Sequence, residues 1–168
     1  YIPRMEAAME ALKSSVGKDF KFKVIIIQLV TLREKRMSKR KGTAILLRDL
    51  VKEVGKDAVR FYYLLRKNSA HLEFDVDKAR LKTLDNPLYY IQYAHARICS
   101  IINKCEANRE TEQLSFENLR LLKEKKELSL IKEVLQFRNV LEIALEQQEP
   151  FFIVDYLRNL ASSFHKFY

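Results

Sequence analysis

The chain has little of what breaks or staples a polypeptide: three glycines, three prolines, two cysteines and no tryptophan in 168 residues. That scarcity, with 48% apolar residues, excludes a collagen-like, linker-rich or disordered chain and leaves enough apolar material for a real core. No apolar run approaches the roughly 18 residues that a membrane-spanning helix needs, so no membrane partner is expected. The first residues carry no signal-peptide pattern, and a cytoplasmic location is expected.

The two cysteines, Cys99 and Cys105, lie six apart in one predicted helix. Six helical residues rise about 9 Å, beyond the roughly 4.4–6.8 Å that a disulfide tolerates between Cα atoms. Free thiols in a reducing compartment are expected. His95 and Cys99 are four apart, but two ligands fall short of a structural zinc site, and no bound metal is expected.

Acidic residues are the other shortage, with 22 Asp and Glu against 31 Lys and Arg, a formal net charge of +9. Residues 1–84 hold 20 basic and 10 acidic side chains, whereas residues 85–168 hold 11 and 12. The excess peaks in Arg33–Lys41, where six of nine residues are basic and only Glu34 opposes them. Such a run suits a polyanion; taken alone it is equally well a solvated loop.

Periodicity predicts a mainly α chain. Helices are expected over Arg4–Ser14 behind Pro3, Leu46–Val54, Asp57–Lys67, Asp75–Leu84, Pro87–Glu106, Ser129–Glu149 and Phe151–Tyr168. Gly55 closes one helix and Asp57 reads as the N-cap of the next. One strand is expected, Phe20–Leu32, whose β-branched run Val24–Ile27 suits a parallel sheet covered on both faces. Glu106–Glu127 reads as a long polar connection with one short helix. Both ends read as cut, as in a segment of a longer protein.

Arg36-Met37-Ser38-Lys39-Arg40-Lys41-Gly42-Thr43 follows that strand, where open α/β sheets bind ligands. Lys39 can set a compact charge near a phosphate, and Ser38 and Thr43 offer hydroxyls. The spaced glycines of a P-loop are missing. This run resembles the Lys-Met-Ser-Lys-Ser signature loop of class I aminoacyl-tRNA synthetases. The residues that follow are more specific: Leu47-Arg48-Asp49-Leu50, Glu53 to Phe61, His71-Leu72-Glu73-Phe74-Asp75, and Asn86 to Arg97. In that order they are similar to arginyl-tRNA synthetases.

The resemblance implies a division into three parts. Residues 1–45 would end a Rossmann-type catalytic domain as a helix–strand remnant, 46–85 would form a connecting helical module, and 86–168 an anticodon-binding helical bundle. It also implies that Arg36, Met37, Ser38, Lys39 and Arg40 close over ATP, with Lys39 as the catalytic cation and Mg²⁺ arriving with the nucleotide. Arg36 departs from the family's Lys but keeps its charge. The family's His-Ile-Gly-His motif has no counterpart, since the three histidines precede Leu72, Ala96 and Lys166. The segment is therefore expected to be inactive alone. The implied partners are arginine tRNA, ATP and arginine, with the whole enzyme a monomer and the segment able to self-associate through apolar surface on Phe151–Tyr168.

Within Pro87–Glu106, Tyr90, Tyr93 and Arg97 fall within about 60° of one another at 100° per residue. Ile91, Ala94, Ile98, Ile101 and Ile102 occupy the adjoining sector as a core stripe, and His95 reads as a buried polar residue. Alone, such a row is more often packing at a core edge. The resemblance implies that Tyr90, Tyr93 and Arg97 contact the tRNA anticodon loop. Two alternatives remain open here: a cysteinyl-type class I synthetase, disfavoured by Asn86–Arg97, and a non-catalytic RNA-binding helical protein.

Overall fold

A computed structural model of the chain describes residues 1–16, 21–32, 46–107 and 116–168. The signature run at 36–43 lies outside the described residues. The described architecture is mainly helical. In order it runs α1 (Ile2–Val16), β1 (Val30–Leu32), α2 (Leu47–Val54), α3 (Lys56–Tyr63), β2 (Leu72–Phe74) and α4 (Val76–Arg80). Then follow α5 (Pro87–Ala107), α6 (Phe116–Leu119), α7 (Lys125–Leu135), α8 (Phe137–Gln147) and α9 (Phe151–Phe167).

The strand differs from the sequence expectation. Only Val30–Leu32 pairs, in parallel with Leu72–Phe74 and in the register Val30 with Leu72. A strand needs a partner as well as β-branched side chains, and β2 offers only three residues. Ile25, Ile26 and Ile27 are 45%, 58% and 74% exposed, so the run read as doubly covered is open to solvent.

Gly55 both ends α2 and begins α3, donating its N–H to Val51 O and accepting from Val59 N. Asp57, read as the N-cap, sits instead inside the first turn of α3. Gly55 has φ 88° and ψ 156°, angles that L side chains rarely adopt, although a Cβ there would meet nothing within 4 Å. Gly55→Ala is therefore expected to cost about 1–3 kcal/mol through backbone strain alone. Urea unfolding checks this, and a loss below about 0.5 kcal/mol would contradict it.

The helix expected over Asp75–Leu84 is shorter. Asp75 caps α4 by accepting from Lys78 N at 2.9 Å, and the helix stops at Arg80. The chain then turns into Asn86, which is 3% exposed and fully hydrogen-bonded. Its Oδ1 accepts from Tyr62 Oη at 3.1 Å and from Leu88 N at 3.0 Å, capping α5. Its Nδ2 donates to the carbonyls of Ala79 and Leu81 at 3.3 and 2.7 Å. One amide thus fixes α3, α4 and the start of α5 relative to each other.

The expected single helix over Ser129–Glu149 is two, α7 and α8, meeting at Gln136. No breaker marks the bend, because Gln136 keeps near-helical angles and donates to both Lys132 O and Glu133 O. Phe137 lies against Tyr156 at 5.5 Å, which seats α8 on α9.

Two apolar clusters form the core of the described residues. The first joins Leu50, Val59, Phe61, Tyr62 and the wholly buried Phe74 with Val154 from α9. The second is Ala94, Ala161 and Phe164, where α5 and α9 approach on small residues. α9 therefore contributes to both. Its N-terminal end is tied down further by Asn68 N donating to Glu149 Oε2 at 3.0 Å and by Lys67 over the Phe152 ring.

Candidate nucleic-acid interface

The seam between α5 and the C-terminal half of α9 gathers aromatic rings around one guanidinium. With its N-terminus capped by Asn86 and Pro87 in its first turn, α5 runs for 21 residues. Ala94 and Ala161 bring the helices close enough for His165 of α9, and Tyr168 just after it, to reach the α5 row.

His165 is the hinge of this arrangement. Its ring lies 4.5 Å from that of Tyr90 and stacks on Tyr93 at 5.7 Å with 22° between planes. Its Nε2 is 3.4 Å from the Tyr90 carbonyl, within hydrogen-bonding reach. Tyr89 also stacks on Tyr93, at 6.3 Å and 18°. Arg97 Nη1 donates to Tyr93 Oη at 2.6 Å, and its guanidinium carbon sits 4.2 Å from the centre of the Tyr168 ring.

The electrostatics follow from that contact. Hydrogen bonding to Tyr168 holds the Arg97 guanidinium above its ordinary pKa, against opposition from burial. The same hydrogen bond, then the positive charge of Arg97, lowers the Tyr168 phenol. Tyr168 is 61% exposed, with the Arg97 guanidinium over its ring and Phe164 stacked on it at 5.8 Å and 24°. Aromatic faces and guanidinium planes of this kind stack unpaired bases.

The structure brings Tyr90, Tyr93 and Arg97 together, with one change of role. The buried face of α5 is centred on Tyr90, Ala94 and Ile101, while Ile98 and Ile102 are 36% and 50% exposed. Tyr90 is thus half-buried against α9 and not at the margin of the core. His95, read as buried, is exposed, with Cys99 Sγ 3.7 Å from its Nε2; it lies beyond the sector that α9 covers. Both cysteines are free.

Tyr89, His165 and Tyr168 were missed by sequence reasoning. Their only signal was aromatic spacing at the ends of two helices far apart in the chain. Arg36, Met37, Ser38, Lys39 and Arg40 lie outside the described residues. Among the described residues, no group of three or more His, Cys, Asp or Glu is placed to hold a metal ion. None of the described helices is long and apolar enough to cross a membrane.

Similarity to known proteins divides at the same helix. Residues 6–87 match the family of class I tRNA synthetases (M), and residues 91–168 match the DALR anticodon binding domain. The two matches, to a class I tRNA synthetase family and to an anticodon-binding family, meet at the start of α5. All of this chain aligns with arginine–tRNA ligases of Desulforamulus reducens, Thioalkalivibrio sulfidiphilus and Oceanobacillus iheyensis at 42%, 41% and 42% identity. It spans 30%, 29% and 30% of their lengths. A crystal structure assigned as an arginyl-tRNA synthetase from Campylobacter jejuni superposes with a TM-score of 0.79 at 36% identity, covering all of this chain and 36% of that one. The arginyl-tRNA synthetase of Thermus thermophilus shares the fold at a TM-score of 0.65 and 21% identity, over 83% of this chain and 26% of that one. Over its whole length the chain matches a segment of arginyl-tRNA synthetases.

Proposed function

We propose that this chain supplies two working parts of an arginine–tRNA ligase: the loop that handles ATP phosphates and the surface that reads the anticodon. The whole enzyme joins arginine to ATP, forming arginyl-adenylate and releasing pyrophosphate, then transfers the arginyl group to the terminal ribose of its tRNA. In this reading residues 1–45 end the Rossmann-type catalytic domain, 46–85 connect, and 86–168 bind the anticodon. The enzyme works as a cytoplasmic monomer, and the segment by itself pairs through apolar surface on α9.

Charge accumulates on the β,γ-phosphate oxygens as pyrophosphate departs. The ammonium of Lys39 stabilises that charge more than it stabilises bound ATP, which is how a cation accelerates the step. Ser38 supports the loop, Met37 and Arg40 complete it, and Arg36 adds a second positive charge. Mg²⁺ comes with the nucleotide. Without a His-Ile-Gly-His sequence the segment alone is expected to show no ATP–pyrophosphate exchange, and measurable exchange would refute that division of labour.

The observation that carries the anticodon reading is the row Tyr89–Tyr93–His165 with Arg97 and Tyr168, within residues that match an anticodon-binding family. Splayed loop bases stack on such a row, and the guanidinium supplies directional donors. Fluorescence anisotropy should show tighter binding of an arginine tRNA than of one whose central anticodon base is changed. Tyr93→Leu should weaken the cognate complex by about tenfold or more, since one stacking contact is worth roughly 1–3 kcal/mol. Equal binding of both tRNAs, or an unchanged complex in a variant with intact helical circular dichroism, would count against the reading.

A further inference from the structure

Residues 85–168 carry slightly more acid than base, yet four of their lysines converge. Lys125, Lys126 and Lys132 of α7 and Lys166 of α9 line one open groove of about 490 Å³, with the hydroxyls of Ser129 and Ser163 between them. No carboxylate lines it. None of the four lysines joins an ion pair among the described residues, although five pairs form elsewhere on the surface. Glu127 faces away, about 200° from Lys125 round α7, and serves the helix start by accepting from Glu124 N at 2.8 Å.

Gathering like charges from two helices without a counterion works against stability, so the arrangement calls for an anion from outside. Lysine is a compact, flexibly presented charge suited to phosphate oxygens and not to base edges, and serine hydroxyls add neutral donors. Lys166 directly follows His165, so the groove and the aromatic row share the last turn of α9. An RNA chain whose bases stack on the α5 side has its backbone delivered to the α7 side.

We propose that the groove between α7 and the end of α9 holds the sugar–phosphate backbone of an RNA, independently of its sequence. This rests on the reading of the bundle as a tRNA-binding surface and adds its non-specific anchor. It makes the affinity salt-dependent, while the aromatic row sets the preference for one anticodon.

The test is anisotropy of the 168-residue chain with the cognate tRNA and the tRNA altered at the central anticodon base, over a range of salt concentrations. In the triple variant Lys125→Gln/Lys132→Gln/Lys166→Gln, three lost phosphate contacts should make the slope of log affinity against log salt shallower by about two, at roughly 0.7 per contact for a single strand. Affinity should fall about tenfold or more for both tRNAs, preserving their ratio. Arg138→Gln/Arg158→Gln, which removes two exposed charges elsewhere on the bundle, should leave the slope unchanged. An unaltered slope in the triple variant overturns the groove, as does an equal change in the arginine control. Absence of discrimination between the tRNAs instead overturns the anticodon reading, and no binding of either overturns both.

Discussion

Asn86→Ala is expected to destabilise the chain by about 3–4 kcal/mol, a large part of the roughly 5–15 kcal/mol that holds a domain folded. The methyl removes the α5 cap, worth about 1 kcal/mol. It also leaves the buried Tyr62 hydroxyl and the carbonyls of Ala79 and Leu81 without their partner, at about 1–3 kcal/mol for each group that water cannot reach. Asn86→Asp keeps the acceptor toward Tyr62 and Leu88 but turns the donor edge into an acceptor facing two carbonyls. It should be damaged nearly as much. Urea unfolding of both variants decides the matter, and a loss under about 1 kcal/mol for Asn86→Ala would sink the account.

Alkali should attack the same junction. Burial, reinforced by the negative charge of Asp75, pushes the Tyr62 phenol up to about 12. Its ordinary value is near 10, so the folded state favours the protonated, hydrogen-bonding form. That contribution is complete below about pH 10 and is lost as pH rises toward 12, because the unfolded chain releases the proton first. Two units correspond to about 2–3 kcal/mol. Burial raises Tyr63 as well, and Tyr156 is raised by burial and by Glu133, so both add in the same direction. Tyr168 has the opposite sign and ionises early beside Arg97. Between pH 10 and 12 the native chain should therefore lose about 2–3 kcal/mol relative to Tyr62→Phe, read from urea midpoints with tyrosinate absorbance followed in parallel. Parallel stability curves for the two proteins would show that Tyr62 does not titrate with unfolding.

Much of the helical frame was legible in the residues. Asn86-Pro87 marks the start of α5, Gly55 marks the joint of α2 and α3, and the apolar spacing of Phe151–Tyr168 gives α9 to within a residue. What escaped depends on partners distant in the chain. β2 is too short for an alternating pattern, and Val24–Ile27 has the composition of a buried strand without the neighbours that would make it one. The site was half legible for the same reason. Helical geometry puts Tyr90, Tyr93 and Arg97 on one side of α5, but the sequence does not say which part of that side α9 covers. It therefore placed Tyr90 at the margin and passed over His165 and Tyr168, which lie more than 70 residues away.

The double duty of α9 also has a consequence for the order in which the chain is made. The pocket between Leu50, Ala58 and Phe74 stays without its last wall until Val154 has been synthesised, 80 residues after Phe74. A nascent chain halted before Pro150 thus carries two unfinished apolar surfaces, one on each side of Asn86, and neither can close on its own. Both are completed from α9, the first by Val154 and the second by Ala161 and Phe164. Until then those surfaces stay exposed, and exposed apolar surface is what makes incomplete folds prone to aggregate.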